Sequence, residues 1–598
     1  MNRRTIGVTV LLASLAVCVW QGTNLISLPG PSTLEVPQPP SDDGVSADYR
    51  VLEQLWREYR SSKDFIKENG VKRGAVWKTA AEEGSAKGMV LYARCLQEGA
   101  GVEKDAAGAT TWLRKAAELG NADAMYGLAR CYLDGEGVAK DETETVSWLR
   151  RAADLGNTAA MLGLGNCYLD GTGVPRDVRQ AVQWVRQAAG RGDSMALRNL
   201  GTCYSDGIGV VKDAGKAFAL YRQSAERGQR MGMCSLGWCY FRGEGAPKDA
   251  AEGVKWLRKA AELGDTQAMD ELGACYFNGG CGPRDVNEAV KWFRKGIELG
   301  SALAMNNLGW CYITGDGVAK DVAEGVKWLR KAIELGDTKA MLNLGGCYFN
   351  GAGVAIDLGE GVNWFRKAAA RGNADGMLAL AMCYASGTGV KKDASEALAW
   401  LHKSADLGNT NAMDGLGGCY AEGVGVAKDL HQAVSWCRKA AELGNARAMY
   451  NLAVCYRDGR GVVKDDGEML KWYRKATELG YPAAANNLGW CYVTGDGVAK
   501  DAVEGVKWLR KAVELGDTRA MINLGSCYFN GWGVERSAAE SVNWYLKASE
   551  LGDADAQYML RQIREASVTD PRSGPTGTVG SQSAFPSPIP SPAIQPRP

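Results

Sequence analysis

The chain has 598 residues, more than one hydrophobic core usually organises, so several domains or a repeat array are expected. Its 70 basic and 69 acidic side chains nearly cancel, which leaves no field for nucleic acid or an anionic membrane surface. Glycine is abundant (77 residues) and proline is not (17), a balance that points to many turns of one kind.

Met1-Asn2-Arg3-Arg4 precedes a largely apolar stretch from Ile6 to Trp20, the layout of a secretory signal. Extended through Leu28, the run approaches the ~20 residues that cross a bilayer. Val17, Cys18, Val19 and Trp20 make poor cleavage residues. Leu15-Ala16-Val17-Cys18 is similar to a bacterial lipoprotein box, except that Val17 stands where a small residue belongs. Residues 1–28 are therefore expected to be a signal peptide or an N-terminal membrane anchor. The protein would then be extracytoplasmic, periplasmic or secreted, and would meet a membrane only through this segment. Residues 29–47 read as a Pro-rich linker, and 48–84 as a capping helix with a partial repeat.

From 85 to 552 one period governs the chain. Cysteines fall at 95, 131, 167 and every 36 residues thereafter to 527, thirteen in all, without an insertion. Tryptophans keep the same step from 112 to 544, broken only by Leu220. Such a period is the signature of a solenoid, in which each unit buries its apolar face against its neighbours. Most units open on a residue able to cap a helix, such as Asn121, Asp193 or Asp337, with Gln229 and Tyr481 as exceptions. A first helix follows and ends at paired glycines, as in Asp134-Gly135-Glu136-Gly137-Val138. Asp141 and its counterparts then cap a second helix that ends at Glu-Leu-Gly. After the array come a C-terminal capping helix (553–567) and a Pro/Ser-rich tail (568–598) too polar to bury a core.

The sequence Ala-Glu-Leu-Gly-Asp-x-x-Ala-Met-x-x-Leu-Gly-x-Cys-Tyr, as it stands from Ala261 to Tyr276, and Gly-x-Gly-Val-x-Lys-Asp, from Gly135 to Asp141, resemble the Sel1-like repeat. That family is related to the tetratricopeptide repeat. The likeness covers about 500 residues. It implies an all-α fold, a right-handed superhelical solenoid of antiparallel helix pairs, whose first helices line a concave surface. Departures are the column of cysteines, the loop Gly279-Gly280-Cys281-Gly282, and Ser537 in place of a second-helix cap Asp.

Numbered from its cap, the first helix carries Ala/Gly, Met, Leu, Cys and Tyr at columns 4, 5, 8, 11 and 12, as in Ala340, Met341, Leu344, Cys347 and Tyr348. At ~100° per residue these share one side, the expected buried stripe. Columns 3, 6, 10 and 13 vary between units and cluster on the other side. They hold Tyr126 and Tyr450 (column 6), Trp238, Trp310 and Trp490 (column 10), and Phe241, Phe277, Phe349 and Phe529 (column 13). Large aromatics on a non-core face are favoured at interfaces, so these residues are expected to bind a protein or peptide partner. The competing reading packs each of them on a neighbouring second helix.

Equivalent columns of stacked helices stand ~8–10 Å apart, beyond disulfide reach, so the thirteen cysteines read as small core residues. There is no CxxC, and His402 and His431 lie on separate helices, so neither a metal nor another cofactor is expected. The chain contains no Ser-x-x-Lys, which argues against the acyl-enzyme chemistry linked to some cysteine-rich Sel1-like proteins. A non-catalytic interaction scaffold is the favoured function, and a cell-envelope hydrolase or β-lactam-binding enzyme the alternative. Residues 301–353 and 481–533 are near copies, which points to lengthening by duplication.

Overall fold

A computed structural model describes residues 42–57, 63–280 and 282–569. The N-terminal apolar run and the tail from 570 onward lie outside the described residues. Among the described residues there are 29 helices and no strand, an all-α solenoid of tandem helix pairs. No described helix is long and apolar enough to cross a membrane. The chain divides into two units, Met1–Asp321 and Val322–Pro598.

Local chemistry sets the helix boundaries in both units. Asn121 Oδ1 accepts from Ala124 N at 2.8 Å, and Asp337 Oδ1 from Ala340 N at 2.6 Å, satisfying N–H groups that the helix leaves open. First helices stop where a glycine adopts the left-handed region, as at Gly135 (φ 73°), whose N–H returns to the Cys131 carbonyl. The second glycine of each pair has a further task. A Cβ on Gly137 would stand 2.0 Å from the Ala106 carbonyl oxygen, and one on Gly533 2.0 Å from that of Ala502. The turn is thus pressed onto the first residue of the preceding second helix, an approach only glycine permits.

Neighbouring repeats are stitched by recurring side-chain bonds. The second-helix arginine of one repeat donates to the column-12 tyrosine of the next, as in Arg150–Tyr168 (2.9 Å) and Arg438–Tyr456 (2.9 Å). Caps serve twice: Asn157 caps its own helix and donates through Nδ2 to Asp123, and Asn409 does the same to Asp375, each at 2.8 Å. The column-12 tyrosines are consequently only half-buried, not core as expected.

Two expectations change. The first described helix, Asp42–Arg57, begins inside the segment assigned to a linker. Val45, Tyr49 and Leu52 recur at helical spacing and are buried, and Tyr49 donates to Asp123 Oδ2 at 2.6 Å, so this stretch has a core to join. The cysteine column is buried and carries free thiols at most positions, but Cys275 is half-buried and disulfide-bonded. It lies four residues before Gly279, which keeps the regular left-handed cap (φ 73°) with its N–H returned to the Cys275 carbonyl.

Candidate functional site

The first-helix face is narrower than a two-sided helix would offer. Within each unit a first helix packs against its own second helix and against the second helix of the repeat before it, as Ser194–Asp206 does against Ala214–Glu226 and Val178–Gly190. Columns 4, 5, 8 and 11 form the core, with Ala340, Met341, Leu344 and Cys347 all at most 3% exposed.

Column 6 is covered as well, and its assignment to the open face is corrected. Tyr450 is 6% exposed, stacked on Tyr473 (5.9 Å) and Tyr481 (5.3 Å). Tyr126 is half-buried against the core. The cause is column 7 of the following repeat, which leans onto column 6. Asn451 Nδ2 donates to Asp414 Oδ1 at 2.9 Å, Asn487 to the Tyr450 hydroxyl at 3.4 Å, and Asn523 to Asn486 Oδ1 at 2.8 Å. A buried polar ladder thus joins successive first helices, each rung satisfied by its neighbour.

Column 13 is also a packing column. Phe241 and Phe349 are half-buried over glycines of their own second helices: a Cβ on Gly253 would lie 3.0 Å from the Phe241 ring, and one on Gly361 2.4 Å from the Phe349 ring. Phe349 further meets Phe365, with centroids 5.2 Å apart. Phe277 and Phe529 sit under Arg284 and Arg536, at 5.0 and 5.8 Å, and the same arginines donate Nε to the two Phe carbonyls. All four are half-buried, so column 13 offers only part of each ring to solvent.

What remains open is column 10 in some of the repeats, although Val454 and Ser526 are buried there. Trp238 is 37% exposed, Trp310 42%, and Met382, which occupies the same column in its own repeat, 60%. Trp238 is propped edge-on by Phe241, with centroids 5.8 Å apart, and carries Arg242 over its ring at 5.1 Å. Trp490 is half-buried because Trp532, the residue between the glycines of the next repeat's turn, lies 6.2 Å from it. Met382 and Trp532 were missed as candidates, although following column 10 and the middle position of the turn through every repeat finds both. The second-helix tryptophans are different: a lysine three residues on lies over most of the rings, as for Trp364 (3.8 Å) and Trp400 (3.8 Å), with Arg151 in its place over Trp148.

The electrostatics favour contact over reaction. Burial pushes the Cys203, Cys491 and Cys527 thiols up to about 12, so they stay protonated at neutral pH. The Cys234 thiol is raised well above its ordinary range by burial, then by the charges of Asp265 and Glu271. His402 stands edge-on to Tyr420 and Trp436, and no group of three metal-ligating side chains occurs among the described residues.

The model of the Sel1 repeat matches thirteen consecutive segments, from 86–121 in steps of 36 residues to 518–553. No curated protein matches the chain. Among solved structures, a protective antigen of uropathogenic Escherichia coli displaying an SLR fold is 33% identical, covering 79% of this chain and 99% of its own, with a TM-score of 0.40. A Sel1 repeat protein from Oxalobacter formigenes is 33% identical over 50% of this chain and 88% of its own, with a TM-score of 0.39.

Proposed function

The chain belongs to the Sel1 repeat family, and from that premise we propose that it is a non-catalytic scaffold holding a peptide or protein along the first-helix face. Sel1 repeats and their tetratricopeptide-like relatives generally bind proteins. The observation that carries the reading is column 10: Trp238 and Trp310 in the first unit, and Met382 in the second, leave large apolar surface in water. The remaining candidate aromatics serve as the wall behind them. Exposed aromatics at repeated spacing suit an extended partner that meets one anchor per repeat. Export and tethering through residues 1–28 complete the reading, supported by the basic start and apolar run.

A photoreactive phenylalanine analogue placed at Trp310 tests the proposal, with the same group at exposed Lys331 on a second helix as the control. Crosslinks to a partner in the source cell should come from position 310 and be absent from 331. Equal labelling from both positions would refute a dedicated face. Fractionation of the cell, followed by recovery of the chain outside the cytoplasm, tests the export half.

A further inference from the structure

We propose that a proline-rich segment of this chain's own C-terminal tail, residues 585–592, docks on the indoles of Trp490 and Trp532. The inference goes beyond the scaffold reading and does not depend on it, since the tail would cover these rings with or without a partner on the first-helix face.

The two rings form a fixed surface that is partly wet. Trp490 stands in column 10 of its repeat, and Trp532 between the left-handed glycines of the next repeat's turn, Gly531 (φ 71°) and Gly533 (φ 67°). Both are half-buried against one cluster that includes Val493, Val506 and Leu524, and their centroids stand 6.2 Å apart at 63°. Because the core already holds them, little order is lost when a ligand packs on their open parts. Trp532 is also peculiar to its place. Of the thirteen turns, only the last carries tryptophan at this position, and the near copy has Ala352 there. The extra indole thus stands in the repeat nearest the tail.

The path of the chain makes the tail its neighbour. The last described helix, Ala554–Thr569, packs on Ala538–Glu550 as Thr518–Asn530 packs on Ala502–Glu514. It therefore takes a first-helix position and runs parallel to Thr518–Asn530, towards the edge that carries the turn of Trp532. Thr569 comes 36 residues after Gly533, one full period, so the chain leaves the array one helix spacing from that turn, ~10 Å. Residues 570–585 reach up to about 50 Å when extended, far more than this gap requires. All of these elements belong to the second unit.

The chemistry of the segment suits the rings. Phe585-Pro586-Ser587-Pro588-Ile589-Pro590-Ser591-Pro592 has proline at every second position and no charge. Proline-rich sequences favour the polyproline II form, lose little entropy on binding and dock on aromatic-lined surfaces. Tethering raises the local concentration of the segment, so a weak contact suffices. A docked tail would close Trp490 to any other partner.

The test places a photoreactive phenylalanine analogue at Phe585 in the purified full chain, with the same group at Val579 as the control. Irradiation should link position 585 within its own chain to peptides that carry Trp490 or Trp532, and position 579 much less. Trp532→Ala should reduce the link from 585 about threefold or more. Replacing Pro586, Pro588, Pro590 and Pro592 with serine should do the same without touching the array. In fluorotryptophan-labelled protein the serine variant should show larger solvent-isotope shifts at both indoles than the native chain. Equal links from 585 and 579 overturn the proposal, as does a link from 585 that neither variant weakens. Links between two chains that grow with protein concentration overturn it as well, and assign the rings to a second copy's tail. Crosslinking of a partner from Trp310, which the scaffold reading requires, is read separately and stands or falls on its own.

Discussion

Two nearly identical first helices sit in different surroundings. Asn306-Asn307-Leu308-Gly309-Trp310-Cys311-Tyr312 and Asn486-Asn487-Leu488-Gly489-Trp490-Cys491-Tyr492 differ by nothing but position. In the first, the cap Ser301 accepts from Ala304 N at 3.0 Å and donates to Asp270 Oδ2 at 2.7 Å. In the second, Tyr481 makes no side-chain cap, Pro482 opens the helix, and the Tyr481 ring stacks on Tyr450 at 5.3 Å. Column 1 of one repeat and column 6 of the repeat before it therefore change as a pair, Asp with Ser and Tyr with Tyr. Variation between copies is thus of two kinds. Some columns vary because they face solvent, and others because they match each other across a seam.

The largest test of that comparison lies at the seams. Tyr450→Ala empties a site lined by Tyr473 and Tyr481 and should cost about 3–5 kcal/mol of local stability. Asp270→Ala removes a polar partner of Ser301 and should cost about 1–3 kcal/mol. Native-state hydrogen exchange of the flanking helices is the proper measurement, because long repeat arrays need not unfold in one step. Equal costs at the two sites would erase the distinction between an aromatic seam and a polar one.

The turns of the two copies differ too. Gly317 and Gly497 share φ 71°, so alanine strains both backbones by about 1–2 kcal/mol. A Cβ on Gly317 would also stand 2.6 Å from the Val286 carbonyl oxygen, a backbone atom that cannot step aside. On Gly497 the nearest atom is the tip of Met469, at 2.7 Å. Gly317→Ala should therefore cost about 3 kcal/mol and Gly497→Ala about 1–2 kcal/mol, seen as faster exchange in helices 286–298 and 466–478 respectively.

These particulars show how far the sequence could be followed. Helix limits were legible because caps and left-handed glycines act within a few residues, and the period repeated them thirteen times. The open face was legible only at column 10, since a two-sided helical wheel takes no account of the third packed side that covers Tyr450. One signal for column 13 was present. Twelve residues after Phe241 and Phe349 come Gly253 and Gly361, small because a ring lies on them. After Phe277 and Phe529 the same step finds Ala289 and Ser541, and there the rings lie beneath arginines. The ladder of Asp414, Asn451, Asn486 and Asn523 spans repeats, and a single helix gives no hint of it.

The contact of Glu271 with the preceding repeat should also answer to pH while the aromatic seam does not. Glu271 holds its proton more tightly in the folded chain (about 7) than its ordinary value of 4.5. The folded state therefore binds more protons between those values, and stability falls as pH rises from about 4.5 through 7. Glu271→Gln should remove that slope and make the helix Thr266–Asn278 about 1–3 kcal/mol more stable than native at pH 8, with little difference at pH 4. Exchange rates around Tyr450 should follow the same course in both proteins. A native chain whose helix 266–278 shows the same protection, relative to the intrinsic exchange rate, at both pH values would place this carboxyl in water.

The smallest energetic effect bears most directly on function. Trp532 lies 6.2 Å from Trp490 at an interplanar angle of 63°, an edge-to-face contact, and it is the reason Trp490 is half-buried while Trp310 is open. Trp532→Ala should cost only about 0.5–1.5 kcal/mol. It should nevertheless turn the second copy into the first, with Trp490 as accessible as Trp310. Fluorotryptophan labelling with solvent-isotope shifts in fluorine NMR resolves the two indoles and reads their accessibility. If open column-10 tryptophans are what the partner grips, W532A gains a third indole anchor and holds the partner longer, through slower dissociation. If Trp532 is itself an anchor, the variant releases the partner faster even though Trp490 is uncovered. The sign of the change in dissociation rate therefore decides whether the second copy is a shielded version of the first or a two-ring grip of its own.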